Sequence, residues 1–126
     1  MAVSAIVVAP AVAGATVGNS LTIIGPSTAQ VGVPFHYKVK GTSTKTTNRK
    51  LSAFANTAQK CPRTYKGELA TPFAPTQVTY PVRYHSFVAR YKITPRSKGP
   101  HYICVYLYVG STKRTLVHAS HKYVTS

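Results

Sequence analysis

The chain has 126 residues, 44% hydrophobic and only 13% charged, which is enough apolar material for one modest core and one domain. Sixteen Lys and Arg stand against a single acid, Glu68, leaving a formal charge of +15 with every histidine neutral, so the chain repels itself when compact and seeks polyanions. With no Asp anywhere, neither a Ser-His-Asp triad, nor the carboxylate pair of glycoside hydrolysis, nor a calcium site of several carboxylates can be assembled, and a protein that is not an enzyme is expected.

The first stretch, MAVSAIVVAPAVAGA, is apolar and rich in small residues and reads as an export signal over residues 1–15. Residues 5–13 form its apolar region, and Ala13-Gly14-Ala15 puts small residues at positions −3 and −1, predicting cleavage before Thr16 and a mature domain of residues 16–126. The n-region lacks the usual Lys or Arg. A buried strand over Ala5-Ile6-Val7-Val8 and an uncleaved anchor are the alternatives. The apolar stretch ends near Val17 and contains Gly and Pro, short of the roughly 20 residues that span a bilayer, so no membrane span is expected in the mature chain. Export predicts a secreted or cell-envelope location.

From Asn19 onward, short β-branched and aromatic runs are broken by Gly, Pro, Ser and Thr roughly every eight to twelve residues. No helical period is present, and the pattern predicts an all-β, antiparallel sandwich of about seven strands. Residues 20–24, SLTII, form a first strand stopped by Gly25-Pro26. Residues 33–40 alternate, with Phe35, Tyr37 and Val39 on one face and His36, Lys38 and Lys40 on the other. The polar run 41–48 reads as a loop and residues 51–55 as a third strand. Cys61-Pro62 leads to a Pro-rich stretch, residues 66–81, that reads as one or two short edge strands, because proline cannot donate to a ladder.

Residues 86–93 alternate again, Phe87, Ala89, Tyr91 and Ile93 against Val88, Arg90 and Lys92. TPRSKGP, residues 94–100, is a turn. Residues 101–109 form a strand with apolar or aromatic residues on both faces, as at a sheet centre; Ile103, Val105 and Leu107 compete with Tyr102, Cys104 and Tyr106 for the inward side. Gly110-Ser111 turns the chain, and residues 113–125 supply the last strand.

The opening GPSTAQVGVPFHYKV, the Cys61-Pro62 after the third strand, and PRSKGPHYICVYL over residues 95–107 together resemble bacterial immunoglobulin-like domains, and more narrowly small exported proteins of actinobacterial type. The resemblance spans residues 21–125, through elements that are short and architectural. It implies that residues 33–40 are strand B, 51–55 strand C, 86–93 strand E and 101–109 strand F. It also implies that Tyr102, two residues before Cys104, is a tyrosine corner whose hydroxyl bonds back to the preceding turn. Antibody-type domains differ, because here strand B has no Cys and the chain has no Trp. A Cys61–Cys104 bond would instead tie the loop after C to strand F, its expected neighbour in the same sheet. Two cysteines in an exported chain imply a disulfide rather than a metal or catalytic pair, with two unpaired buried thiols as the alternative. Closing the 43-residue separation would contribute on the order of 4 kcal/mol.

Strands B and E pair in such a sandwich, so His36, Lys38 and Lys40 are expected beside Arg90 and Lys92 on an outer sheet face. With no acids interleaved, that face should hold phosphates, sulfates or carboxylates of an anionic polysaccharide or cell-wall polymer; a solvated, merely solubilising surface is the ordinary alternative. Lys113, Arg114 and Lys122, beside His118, form a second basic group. Nucleic acid is not favoured: Tyr80, Tyr84, Tyr106 and Tyr108 could stack bases, but no zinc finger, helix-turn-helix or Gly-rich phosphate loop accompanies them.

No cofactor or metal is expected. His118 and His121, three apart on a strand, point to opposite faces, and nothing in the sequence brings His85 and His101 together. Glu68 is expected to answer a cation such as Lys66. The expected function is therefore an exported, non-catalytic binding or structural module that holds an anionic polymer or a protein partner. The alternative is a membrane-active or toxin-like basic protein, which needs a cationic amphipathic surface with exposed aromatics.

Overall fold

Alternation along the chain converts most of it into strands with one apolar and one polar face, and the two-sheet arrangement follows from the need to bury those apolar faces against each other. The computed structural model describes residues 18–57, 60–71 and 76–126; the expected signal segment, residues 1–15, lies outside the described residues. The described residues form eight strands and one short helix: β1 (Ser20–Ile24), β2 (Thr28–Ala29), β3 (Phe35–Thr42), β4 (Arg49–Thr57), α1 (Tyr65–Leu69), β5 (Thr76–Pro81), β6 (Ser86–Ile93), β7 (Gly99–Val109) and β8 (Thr115–Thr125).

The smaller sheet has the order β1-β3-β6 and the larger β2-β8-β7-β4-β5. Among the described residues every pairing is antiparallel except β2 with β8, which is parallel over Thr28 and Ala29. The expected B–E and C–F neighbours are thus the β3–β6 and β4–β7 pairs, in an all-β sandwich. Tyr37 and Val39 from β3 and Tyr91 and Ile93 from β6 pack against Leu51 and Ala53 from β4 and Ile103, Val105 and Leu107 from β7. Tyr37 and Tyr91 stack at 5.1 Å between centroids. At about 25 cal/mol per Å² of apolar surface removed from water, this layer is the main stabilising term.

The inward residues of β7 are therefore Ile103, Val105 and Leu107, and its other face is covered too. The segment expected to hold only edge strands instead makes α1, capped by Thr64, whose hydroxyl accepts from the Gly67 N–H at 3.0 Å. Tyr65 from α1 stacks on Tyr108 at 3.8 Å, and Phe54, Cys104 and Tyr106 complete this second cluster. Among the described residues of the Pro-rich stretch, 76–81 form a strand, at the sheet edge as expected. Cys61 and Cys104 are joined by a disulfide, which pins the chain entering α1 onto the centre of the larger sheet.

Tyr102 is half-buried on this outer face beside Cys61, the opposite side of β7 from the core. The corner contact passes to His101, which is buried on the inward face and whose Nε2–H donates to the Ser97 carbonyl at 2.9 Å. The physical reason is register: Cys104 faces outward to meet Cys61, and strand periodicity carries Tyr102 outward with it.

Candidate functional site

The small sheet presents its outer face through alternate residues of three strands. In register, Lys38 lies between Ile24 and Arg90, Lys40 between Thr22 and Val88, and His36 opposite Lys92. His36, Lys40, Arg90 and Lys92 are exposed and Lys38 is half-buried. The expected basic side chains are therefore brought together, two of the pairs directly opposite, while Lys40 meets Arg90 only diagonally.

The hydrogen-bond phase of β3–β6 tightens this further. The Ser43 N–H donates to the His85 carbonyl at 2.7 Å, one step beyond the Thr42–Ser86 pair, so position 43/85 is a hydrogen-bonded pair. Such pairs alternate with non-bonded ones along an antiparallel ladder. Lys38–Arg90 and His36–Lys92 consequently fall in non-bonded pairs, in which the side chains stand closer, about 4.5 Å between Cα atoms. Like charges directly opposite destabilise a sheet. A shallow hollow of about 260 Å³ opens among them, lined by Ile24, Gly25, His36, Tyr37, Lys38 and Arg90.

No side-chain carboxylate can neutralise the face, because the only acid sits on the other sheet. Glu68 is buried under α1, where its Oε1 is 3.2 Å from the Tyr106 hydroxyl, which itself donates to the Pro62 carbonyl at 2.6 Å. The expected Glu68–Lys66 pairing is replaced by this contact, since the helix turns Glu68 toward the sheet and leaves Lys66 exposed. Burial pushes the Glu68 carboxyl above its ordinary range, against the opposing effect of hydrogen bonds from Tyr106 and Thr71. Its Oε2 is buried without a hydrogen-bond partner.

The second basic group does not assemble. Lys113 and Arg114 sit in the turn before β8, whereas Lys122 is paired with Tyr102 far along the strand, roughly 26 Å away at about 3.3 Å per residue. His118 lies on the outer face near Tyr106, and His121, opposite Ile103, donates its Nε2–H to the Pro26 carbonyl at 2.8 Å. The two thus point to opposite faces. His85 Nδ1–H donates to the Ser43 carbonyl at 2.9 Å, and His101 is held by Ser97, so the two rings have separate backbone partners. Among the described residues no three metal-ligating side chains cluster.

Of the four tyrosines considered for stacking, Tyr106 and Tyr108 are buried under α1, and Tyr80 and Tyr84 are exposed on the flank where β5 and β6 end their sheets. A cavity of about 510 Å³ lies there, lined by residues that include Leu51, Tyr80, Tyr84, Phe87 and Arg90. Sequence reasoning did not find it, because it is formed by two strand edges and the connection between them rather than by any one patterned segment. Arg90 also lines the hollow on the basic face, so it stands where the face meets the flank. No protein-family model matches the chain, and the search of curated proteins finds no match to it. No helix of the described residues is long and apolar enough to cross a membrane.

Proposed function

We propose that the chain is an exported, non-catalytic, immunoglobulin-like binding module that holds an anionic cell-envelope polymer on the outer face of the small sheet. The observation that carries this reading is the in-register placement of Lys38 with Arg90 and His36 with Lys92, while the sole side-chain carboxylate is buried beneath α1. A sheet face held at that electrostatic cost is accounted for by a ligand that supplies the countercharge. Phosphate, sulfate or carboxylate groups spaced along a flexible polymer suit a row of cations better than one enclosed anion does. The hollow beside Lys38 and Arg90 gives such a group a place to sit.

The test is retention of the chain on immobilised cell-wall glycopolymer, heparin and DNA against increasing salt, with a neutral polysaccharide as control. Retention of one polymer beyond the salt at which the others release is the expected result. Simultaneous release of all three at modest salt means unselective stickiness and overturns the reading. Leakage of anionic vesicles at comparable protein concentration would replace it with the membrane-active alternative.

A further inference from the structure

The flank beside the basic face carries a second, different opportunity. β6 closes the small sheet on one side and pairs only with β3 among the described residues. The phase of that ladder says which of its backbone groups are used. Phe87, Ala89, Tyr91 and Ile93 fall in hydrogen-bonded pairs with β3, so the backbone N–H and C=O of Ser86, Val88, Arg90 and Lys92 point the other way, to the open flank. The register shows no bulge, and the strand contains neither Pro nor Gly. A bulge, Pro and Gly, three of the usual devices that blunt an edge, are therefore missing from β6, and charge remains.

Two cavities border this edge. One is the space of about 510 Å³ near Tyr80 and Phe87, and the other, about 230 Å³, lies among Tyr37, Val78, Tyr80, Tyr91 and Ile93. The Tyr91 hydroxyl is buried without a hydrogen-bond partner. Val78, Tyr80, Tyr84 and Val88 leave apolar surface exposed around the openings, Tyr84 at 72% of its full area. A strand edge that pairs on one side only among the described residues, beside two hollows, is the geometry of strand addition, in which backbone hydrogen bonds give affinity and alternate side chains fill pockets.

We infer that β6 accepts an extended segment of an acidic partner protein as an added antiparallel strand. The charges select the occupant. A second copy of this chain would bring its own Arg90 and Lys92 against the first pair, on a molecule of +15, and is repelled. A strand with carboxylates at alternate positions instead places them opposite Arg90 and Lys92 on the outer face and turns its intervening apolar residues over the cavities. In that antiparallel register the acidic residues are the ones whose N–H groups meet the β6 edge. The inference goes beyond polymer binding, because it depends on the backbone of β6 as well as on its cations.

A capped peptide of about nine residues alternating Glu and Val, matched to an ordinary strand, is the probe. Its affinity for the 126-residue chain is compared with two N-methylated forms of identical charge and side chains, one methylated at the Glu positions and one at the Val positions. Methylation at Glu is expected to weaken binding at least about tenfold, the equivalent of one or two lost hydrogen bonds, and methylation at Val to leave it within about twofold. Amide exchange at Val88 and Arg90 is expected to slow when the unmodified peptide binds. Equal binding of all three peptides, loss on methylation at Val alone, or no binding of the unmodified peptide overturns the inference. Because charge is constant across the set, none of these results bears on polymer retention, which stands or falls by its own assay.

Discussion

Glu68 is the residue on which most local chemistry turns. It is the only side-chain acid, and burial rather than a cation governs it, so its folded-state pKa is raised above the unfolded value. The stability linked to this group is fully present below the ordinary carboxylate pKa and is lost as pH rises through the folded value. Glu68→Gln removes the ionisation, so its advantage over the wild type should widen between about pH 4 and about pH 8, read from urea midpoints. Parallel curves, or a wild type that gains on the variant as pH rises, would contradict the assignment. None of this was legible in the sequence, where Lys66 is the obvious neighbour. The helix that turns Glu68 inward comes from a stretch with no amphipathic period. Tyr102 misled for a related reason: its spacing from Cys104 is that of a corner, but the disulfide to Cys61 reverses the face.

At the scale of the strands, alternation in β3 and β6 was enough to place five basic side chains on one face, and the pairing in register follows from it. β7 could not be read the same way, because both of its faces are apolar. The cause is α1, which covers Tyr106 and Tyr108 and so removes the polar side that would have marked the exterior. The cation ladder makes a prediction of its own. Lys38→Glu turns a like-charge pair with Arg90 into an opposite-charge one, and should raise stability by about 0.2–1 kcal/mol at low salt, an effect that fades as salt is added. The same substitution should weaken binding of an anionic polymer, so stability and binding move in opposite directions. A loss of stability at low salt would show that the ladder is not under electrostatic strain. Gly41 belongs to this sheet as well: a Cβ there would stand 2.5 Å from the Phe87 ring, so Gly41→Ala should cost about 1–3 kcal/mol in a urea melt.

For the molecule as a whole, the two layers are held by one central core and by a cover pinned through Cys61 and Cys104. Replacing both cysteines with serine should lower unfolding free energy by about 4 kcal/mol in the chain-entropy account, measured by urea unfolding; no change would mean that the aromatic cluster alone holds the cover. The net charge is spread over the molecule, but among the described residues only the β3–β6 face gathers cations in register, and the central claim is that this gathering, not the total charge, makes a binding site. The most direct measurement compares two double variants on one anionic cell-wall glycopolymer across a salt series: Lys38→Glu with Arg90→Glu, and Lys113→Glu with Lys122→Glu. Both take the chain from +15 to +11. The account predicts that the first pair loses retention and flattens the salt dependence while the second stays close to the unaltered chain. Equal losses in the two would mean that net charge alone is responsible, and would contradict it.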